Sequence, residues 1–212
     1  MDIYPRVHEC PDVGVRDRSP ADPRHQADSR PVGRGRVGAR HGAPGAHGRA
    51  ARGLPQAAAV VTSPTARLAQ LGVELPPVAP PKGIYVPAKR VGAQVWTSGQ
   101  LPLIGGELPA TGLVGAEVSV DDAAAYARIA ALNALAAIDA LVGLDAVASV
   151  AKIVGFVASA PGFGGQPQVV NGASELMGQV FGPAGEHARS AIGVAALPLG
   201  APVEVEVVVD LA

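Results

Sequence analysis

One long apolar helix, predicted to start at Ser119 and to end at Gly143, restricts the fold more than any other segment. Ser119 is suited to cap this helix, and Asp121 and Asp122 fall in its first turn, where carboxylates stabilise the positive end of the helix dipole. The apolar stripe at helical spacing, broadened by many alanines, comprises Ile129, Leu132, Leu135, Ile138 and Leu141. Such a helix needs a second layer to cover its stripe.

The segments around this helix are predicted to supply that layer. Two short β-rich segments flank a Val91-Gly92-Ala93 turn and predict a hairpin, in which Trp96 is expected to face the core. Apolar residues on both faces of the 147–158 segment are typical of a central strand. The predicted strands are 84–90, 94–98, 147–158, 188–196 and 202–211, and a second helix is predicted over 168–181. The order β-β-α-β-α-β-β predicts an α+β fold with both helices on one face of the sheet.

The last predicted strand alternates valine with glutamate. Val203, Val205 and Val207 share one face, and Glu204 and Glu206 share the other, because successive side chains of a strand point to opposite sides. We expect the acidic face to meet water, another subunit or a site. Glu206 is interpreted as a structural carboxylate on that face.

The first sixty residues differ in composition from the rest of the chain. They contain ten Arg, no Lys, six acids, eight Gly and seven Pro. Leu, Ile, Val and Phe make up roughly 13% of them, below the ~20% that a core needs, so we predict a disordered Arg/Gly/Pro-rich tail over 1–60 and a folded domain over 61–212. The same composition resembles a GC-rich gene read without selection for folding, and we expect the true start near Val60 or Val61.

Charge, aromatic content and cysteine count exclude several classes of protein. A net charge of −1 and 3% aromatic residues argue against nucleic-acid binding. The single Cys excludes a disulfide framework and a cysteine-built zinc site. Arg128, Asn133 and Asp139 interrupt the most apolar segment, so no membrane span is predicted. The tail lacks the apolar stretch of a secretory signal and is too acidic for a transit peptide, which favours a cytoplasmic protein.

Several short motifs occur in an order that is found in a known family. They are Tyr85, Thr97-Ser98-Gly99-Gln100, Asn171, Ala188-Arg189-Ser190, Leu197-Pro198 and Val203-Glu204-Val205-Glu206. The spacing of the last three is the most specific. Over about residues 66–212 the chain resembles the RidA/YjgF family, also called the endoribonuclease L-PSP family.

This resemblance implies a chorismate-mutase-like α+β fold, a homotrimer and sites in the clefts between subunits. The characterised members hydrolyse reactive imines and enamines, such as 2-iminobutanoate and 2-aminoacrylate, to 2-oxo acids and ammonia. They need no metal and no organic cofactor. The resemblance therefore implies a small carboxylate substrate, no cofactor and no metal site.

The resemblance also assigns roles to five residues of this chain. Arg189 matches the arginine that binds the substrate carboxylate, and Glu204 matches the glutamate that holds the attacking water. Tyr85 and Ser98 match two residues that line the cleft. Asn171 matches an asparagine at the start of the second helix.

Departures from the family pattern indicate a divergent branch. Gly83-Ile84-Tyr85 stands where Gly-Pro-Tyr is usual, and Ala191 stands where a cysteine is common. The 161–167 loop differs, and one extra residue separates Asn171 from Arg189. The fold therefore follows from the resemblance, whereas the substrate does not.

The assigned residue types suit the hydrolysis of an imine. A guanidinium binds a carboxylate through two parallel hydrogen bonds, which would fix the C=N carbon of the substrate against a water. A carboxylate such as that of Glu204 can orient and partly deprotonate this water. The hydroxyls of Tyr85 and Ser98 could hold the nitrogen or relay protons.

Each assignment has a structural alternative. Arg189 could form a salt bridge at a subunit interface, with Glu204 among its candidate partners. Ser98 could satisfy a turn backbone, and Asn171 could cap the second helix. His187 lies two residues before Arg189, on the same strand face, and is a candidate for an auxiliary role.

Three functions remain open. The leading hypothesis is an enamine/imine deaminase. The second is a noncatalytic trimer that binds small carboxylate metabolites and signals to a partner, which would use Arg189 but would need no activated water at Glu204. A ribonuclease, as one family name suggests, ranks last because the predicted domain has one His and a net charge of −5.

Overall fold

A computed structural model of the chain describes residues 62–80 and 83–212. The tail predicted to be disordered and the start expected near Val60 or Val61 lie outside these residues. The described residues contain a mixed sheet whose strands lie in the order β1-β2-β5-β3-β4. The strands are β1 (Ala88–Val91), β2 (Gln94–Thr97), β3 (Val147–Ala158), β4 (Ala188–Val194) and β5 (Val203–Leu211). β3 and β4 pair in parallel, and the other neighbours are antiparallel.

Three α-helices accompany this sheet: α1 (Pro64–Gln70), α2 (Val120–Val142) and α3 (Gln166–Phe181). The predicted cap of α2 is confirmed, because the Ser119 hydroxyl accepts a hydrogen bond from the backbone N–H of Asp122 at 3.1 Å. Gly143 ends α2 with a φ of 79°, a conformation that favours glycine. The predicted order β-β-α-β-α-β-β is confirmed, with α1 as an additional short helix before it.

The face of the sheet under α2 and α3 forms the core. Val203, Val205 and Val207 of β5 are fully buried there, together with Ile153 of β3. Gly155 of β3 lies on the same face, so close to α3 that an added β-carbon would overlap the side chain of Val170. α2 is long and apolar enough, by length and composition, to cross a membrane, but most of its alanines, Leu135 and Ile138 are buried in this core.

The other side of the sheet, called the open face here, is left uncovered by α2 and α3. It presents Trp96, Lys152, Ser190, Glu204 and Glu206. Trp96 is 51% exposed, so the prediction that it faces the core is wrong. The alternation in β2 places its neighbours Val95 and Thr97 on the buried side instead.

Two predicted boundaries shift for reasons that involve proline. β1 starts at Ala88 rather than at residue 84, since Pro87 has no N–H to extend the ladder. α3 starts at Gln166, two residues earlier than predicted, with Pro167 in its first turn, where proline is well tolerated.

Candidate active site

The register of the sheet separates the two predicted catalytic residues. Arg189 of β4 is level with Ile153, which is buried under the helices, so Arg189 lies on the helix side. Glu204 of β5 is level with Phe156, on the open face. The two residues are two strands and three positions apart, which corresponds to about 14 Å between their Cα atoms. One chain alone therefore does not bring Arg189 and Glu204 together.

Arg189 and its partners on α3 form the first group, called the arginine half-site here. The Arg189 Nη1 donates hydrogen bonds to Asn171 Oδ1 at 2.8 Å and to Ser174 Oγ at 3.1 Å. Asn171 and Ser174 are three residues apart and therefore share one face of α3. Among the described residues, no group bonds to Nε or Nη2 of Arg189, and the side chain is exposed. That free edge has the geometry to bind a carboxylate through two hydrogen bonds.

Asn171 is not the cap of α3, so that alternative is wrong. Gly165 precedes the first residue of the helix, and Asn171 lies in the second turn with an exposed side chain. Its side chain bonds instead to Arg189. Ser174 was missed, because a serine inside a helix has no distinctive sequence signal.

His187 contacts the arginine half-site from the residue before β4. Its Nε2 lies 3.0 Å from Ser174 Oγ, and its Nδ1 lies 2.6 Å from the carbonyl oxygen of Gly185. A carbonyl only accepts hydrogen bonds, so Nδ1 carries the proton in the neutral ring. His187 and Arg189 thus approach the same serine, in agreement with the prediction that they share a face.

Glu204 lies at a small cavity, called the glutamate half-site here. The cavity has a volume of about 250 Å³, and Glu204 is the charged residue that lines it. Its apolar walls include Pro87, Leu101, Leu103, Pro198 and Leu199. Asn133 of α2, another residue that was missed, donates hydrogen bonds to the carbonyls of Leu101 and Leu103 at 2.8 and 3.2 Å and so holds one wall in place.

Burial changes the acidity of both glutamates on the open face. Desolvation raises the pKa of the Glu204 carboxyl, and the nearby charge of Glu206 raises it further. Desolvation also raises the pKa of Glu206. Within residues 62–80 and 83–212, no group of three or more His, Cys, Asp or Glu is arranged to hold a metal ion.

The Ser-Gly-Gln motif builds the floor under Glu204. Gln100 exchanges two backbone hydrogen bonds with Val205, both of 2.9 Å, which ties the motif to β5. Gly99 then lies so close to Glu204 that an added β-carbon would overlap its carboxylate. The glycine is needed here because two chain segments approach closely, not because its backbone is unusual.

Ser98 braces the segment that carries Tyr85. Its hydroxyl donates to the carbonyl of Val86 at 2.7 Å, and its N–H donates to the carbonyl of Pro87 at 2.9 Å. The backbone role considered for Ser98 is therefore present in the structure. Tyr85 lines the glutamate half-site, with about half of its surface exposed (52%).

The mixed sheet with two helices on one face has the architecture of the chorismate-mutase-like α+β proteins. Residues 65–211 match the sequence profile of the family described as "YjgF/chorismate mutase-like, putative endoribonuclease". The chain belongs to this family, and the predicted family and fold are confirmed.

Individual relatives agree with this membership. "Protein TCP17" of Trypanosoma cruzi is 45% identical over 150 residues, which span 69% of this chain and 92% of TCP17. The crystal structure of Atu1372 from Agrobacterium tumefaciens is 42% identical with a TM-score of 0.64, covering 69% of this chain and 91% of that one. A crystal structure named as a putative endoribonuclease from Shewanella oneidensis is 34% identical with a TM-score of 0.68, covering 70% and 99%.

Proposed function

We propose that the protein hydrolyses reactive 2-imino and 2-enamino acids to 2-oxo acids and ammonia. The observation that carries this proposal is the free Nε–Nη2 edge of Arg189, whose guanidinium is already held from the other side by Asn171 and Ser174. A preorganised, exposed guanidinium edge suits a small carboxylate. No metal and no organic cofactor enter the proposed reaction.

The reaction follows from the two half-sites. Arg189 binds the carboxylate, and Glu204 accepts a proton from water as the water oxygen adds to the C=N carbon. The nitrogen takes up protons and leaves as ammonia while the carbonyl bond forms, so imine and water give 2-oxo acid and ammonia. The raised pKa of Glu204 brings it nearer to neutral pH, which favours both accepting and returning a proton.

This mechanism needs more than one copy of the chain. Since Arg189 and Glu204 lie on opposite faces of one sheet, we propose that Arg189 of one copy meets Glu204 of the next, in a homotrimer with sites between subunits. The open face supports this proposal, because it exposes Trp96 (51%) and Ile192 (43%), which association would cover.

The walls of the glutamate half-site favour a short apolar side chain on the substrate. Leu101, Leu103 and Leu199 surround the cavity, and its charged lining residue is the proposed base. We therefore expect 2-iminobutanoate to be a better substrate than an imino acid with a charged side chain.

The test uses the full chain, with 2-aminoacrylate and 2-iminobutanoate generated in situ by a separate dehydratase. We expect faster decay of both with the wild type and no acceleration with Arg189→Ala. If the wild type binds 2-oxobutanoate through Arg189 but accelerates neither decay, the protein is a carboxylate binder rather than a deaminase. RNA that is degraded by the wild type and spared by Arg189→Ala would favour the ribonuclease instead.

A further inference from the structure

We infer that Ser174 and His187 are positioning residues that fix the guanidinium of Arg189 for carboxylate binding. This inference rests on the anchoring role proposed for Arg189. It goes beyond that role because it names the groups that set the orientation of the arginine. Ser174 bonds to Arg189, and His187 bonds to Ser174, through hydrogen bonds of ordinary length.

The hydrogen bonds form a chain with one direction. Arg189 Nη1 donates to Ser174 Oγ, the Ser174 hydroxyl donates to His187 Nε2, and His187 Nδ1 donates to the carbonyl of Gly185, at 3.1, 3.0 and 2.6 Å. The direction is set at the far end, since the carbonyl can only accept. With Nδ1 protonated in the neutral ring, Nε2 of His187 accepts a hydrogen bond from the Ser174 hydroxyl, and a lone pair of that oxygen is left to face Arg189.

The carbonyl at the end of this chain is itself firmly placed. Gly185 is buried in the short turn that follows α3, and an added β-carbon would overlap the carbonyl of Met177. Because the turn packs this closely on the end of α3, the acceptor has little freedom to move. The backbone thus fixes the tautomer of His187, and His187 fixes the rotation of the Ser174 hydroxyl.

The consequence for Arg189 is geometric. Its Nη1 carries two hydrogens, and the contacts with Asn171 and Ser174 use both. A planar group held at two points cannot rotate about its own axis, so the Nε–Nη2 edge stays directed away from α3. An arginine without these contacts would have to be ordered by the substrate, which weakens binding.

The experiment measures the affinity of the full chain for 2-oxobutanoate, an unreactive carboxylate, by calorimetry. We expect Ser174→Ala and His187→Phe each to weaken binding about tenfold, the effect of losing one hydrogen bond to a charged group. The double variant should be no weaker than either single one, because both break the same chain. Ser174→Thr keeps the hydroxyl and should restore binding.

Matched controls separate this role from a loss of folding. Ser190→Ala removes a neighbouring serine that bonds to Lys152 on the open face and should leave binding unchanged. Thermal melting of each variant checks its fold, and in the deaminase assay KM should rise with kcat nearly constant. Wild-type affinity in Ser174→Ala would overturn the inference. Losses of affinity that add in the double variant and that parallel the loss of melting temperature would overturn it too.

The outcomes also separate this inference from the proposed function. If 2-oxobutanoate binds equally well to Arg189→Ala, or not at all to the wild type, the anchor is wrong and the inference is overturned with it. If Arg189→Ala abolishes binding while Ser174→Ala does not, the positioning role alone is overturned. If binding needs Arg189, Ser174 and His187 but no imine decays faster, the inference is supported and the deaminase proposal fails.

Discussion

The arginine and glutamate half-sites of this protein are built in opposite ways. Arg189 is exposed at a sheet edge and is held by side chains of Asn171 and Ser174. Glu204 is partly buried, and the backbone of the Gly99–Gln100 segment and apolar walls surround it. The first arrangement leaves a permanent charge hydrated, whereas the second removes water from a group whose pKa is thereby raised. In the proposed reaction, binding and proton transfer would therefore take place on different surfaces of the fold.

The largest expected effect lies on the glutamate half-site. Glu204→Gln removes the proposed base, and we expect kcat for 2-iminobutanoate to fall about 10³-fold while the Kd of 2-oxobutanoate stays near the wild-type value. Glu206→Gln, on the same face but not lining the cavity, is the matched control and should lose far less. A full rate in Glu204→Gln would show that Glu204 is not the base, and the assignment of different roles to the two half-sites would then be wrong.

Mixing two inactive variants tests whether the half-sites come from different copies. Equal amounts of Arg189→Ala and Glu204→Gln chains, unfolded and refolded together, should recover about a quarter of the wild-type rate, because one interface in four pairs an intact Glu204 with an intact Arg189. Each variant refolded alone is the control. Recovery of no activity from well-folded mixed oligomers would mean that a site does not draw on two chains.

A smaller effect is expected where the backbone approaches Glu204. Gly99→Ala places a methyl group against the carboxylate, so we expect kcat to fall about tenfold to a hundredfold through misplacement of the base. Gly164→Ala, where the backbone is not left-handed and an added carbon meets no atom within 4 Å, serves as a control for glycine replacement itself. Carboxylate affinity, measured in parallel, should stay unchanged, since the arginine half-site is not touched.

The pH dependence should report on Glu204. The base must be ionised, and burial and Glu206 raise its pKa, so kcat should fall with decreasing pH at a higher pH than an ordinary glutamate would give. Glu206→Gln removes one cause of the raised pKa and should move this fall to lower pH. A pH–rate profile of both proteins decides this point, and an unmoved acid limb would exclude coupling between the two carboxyls.

The smallest functional effect is expected from a change in the core. Gly155→Ala should lower the free energy of unfolding by about 1–3 kcal/mol, because the added methyl overlaps Val170. Gly178→Ala, in α3 with free space around it, should instead stabilise the fold by up to about 1 kcal/mol. Thermal melting measures both, and neither change should alter kcat or the Kd of 2-oxobutanoate.

Much of the fold could be predicted from local patterns. The cap, stripe and final glycine fixed the bounds of α2, and the apolar run of β3 identified an internal strand. Trp96 was misplaced because alternation shows that Val95 and Trp96 face opposite ways, but not which of them meets the helices. That choice is made by the pairing of β2 with β5, which is a property of the whole sheet.

For the candidate site, the sequence named residues but not their arrangement. Arg189, Glu204 and Asn171 were found by resemblance, yet their division between two faces depends on the register of β3 with β4 and β5. Ser174 could have been found only by combining the helical period with the strand period. The helical period places Ser174 on the same face as Asn171, and the strand period places His187 on the same face as Arg189. Their meeting becomes visible only once the helix and the strand are placed side by side.

If the proposed site is divided between opposite faces of the sheet, the number of chains in contact becomes part of the chemistry. If neighbouring copies supply Arg189 and Glu204, a single chain at high dilution holds a ligand anchor and a base that never meet. The specific activity should then decline on dilution below the dissociation constant of the assembly, while each chain stays folded. Abundance of the protein would in that case govern not only how many sites exist but whether any site exists.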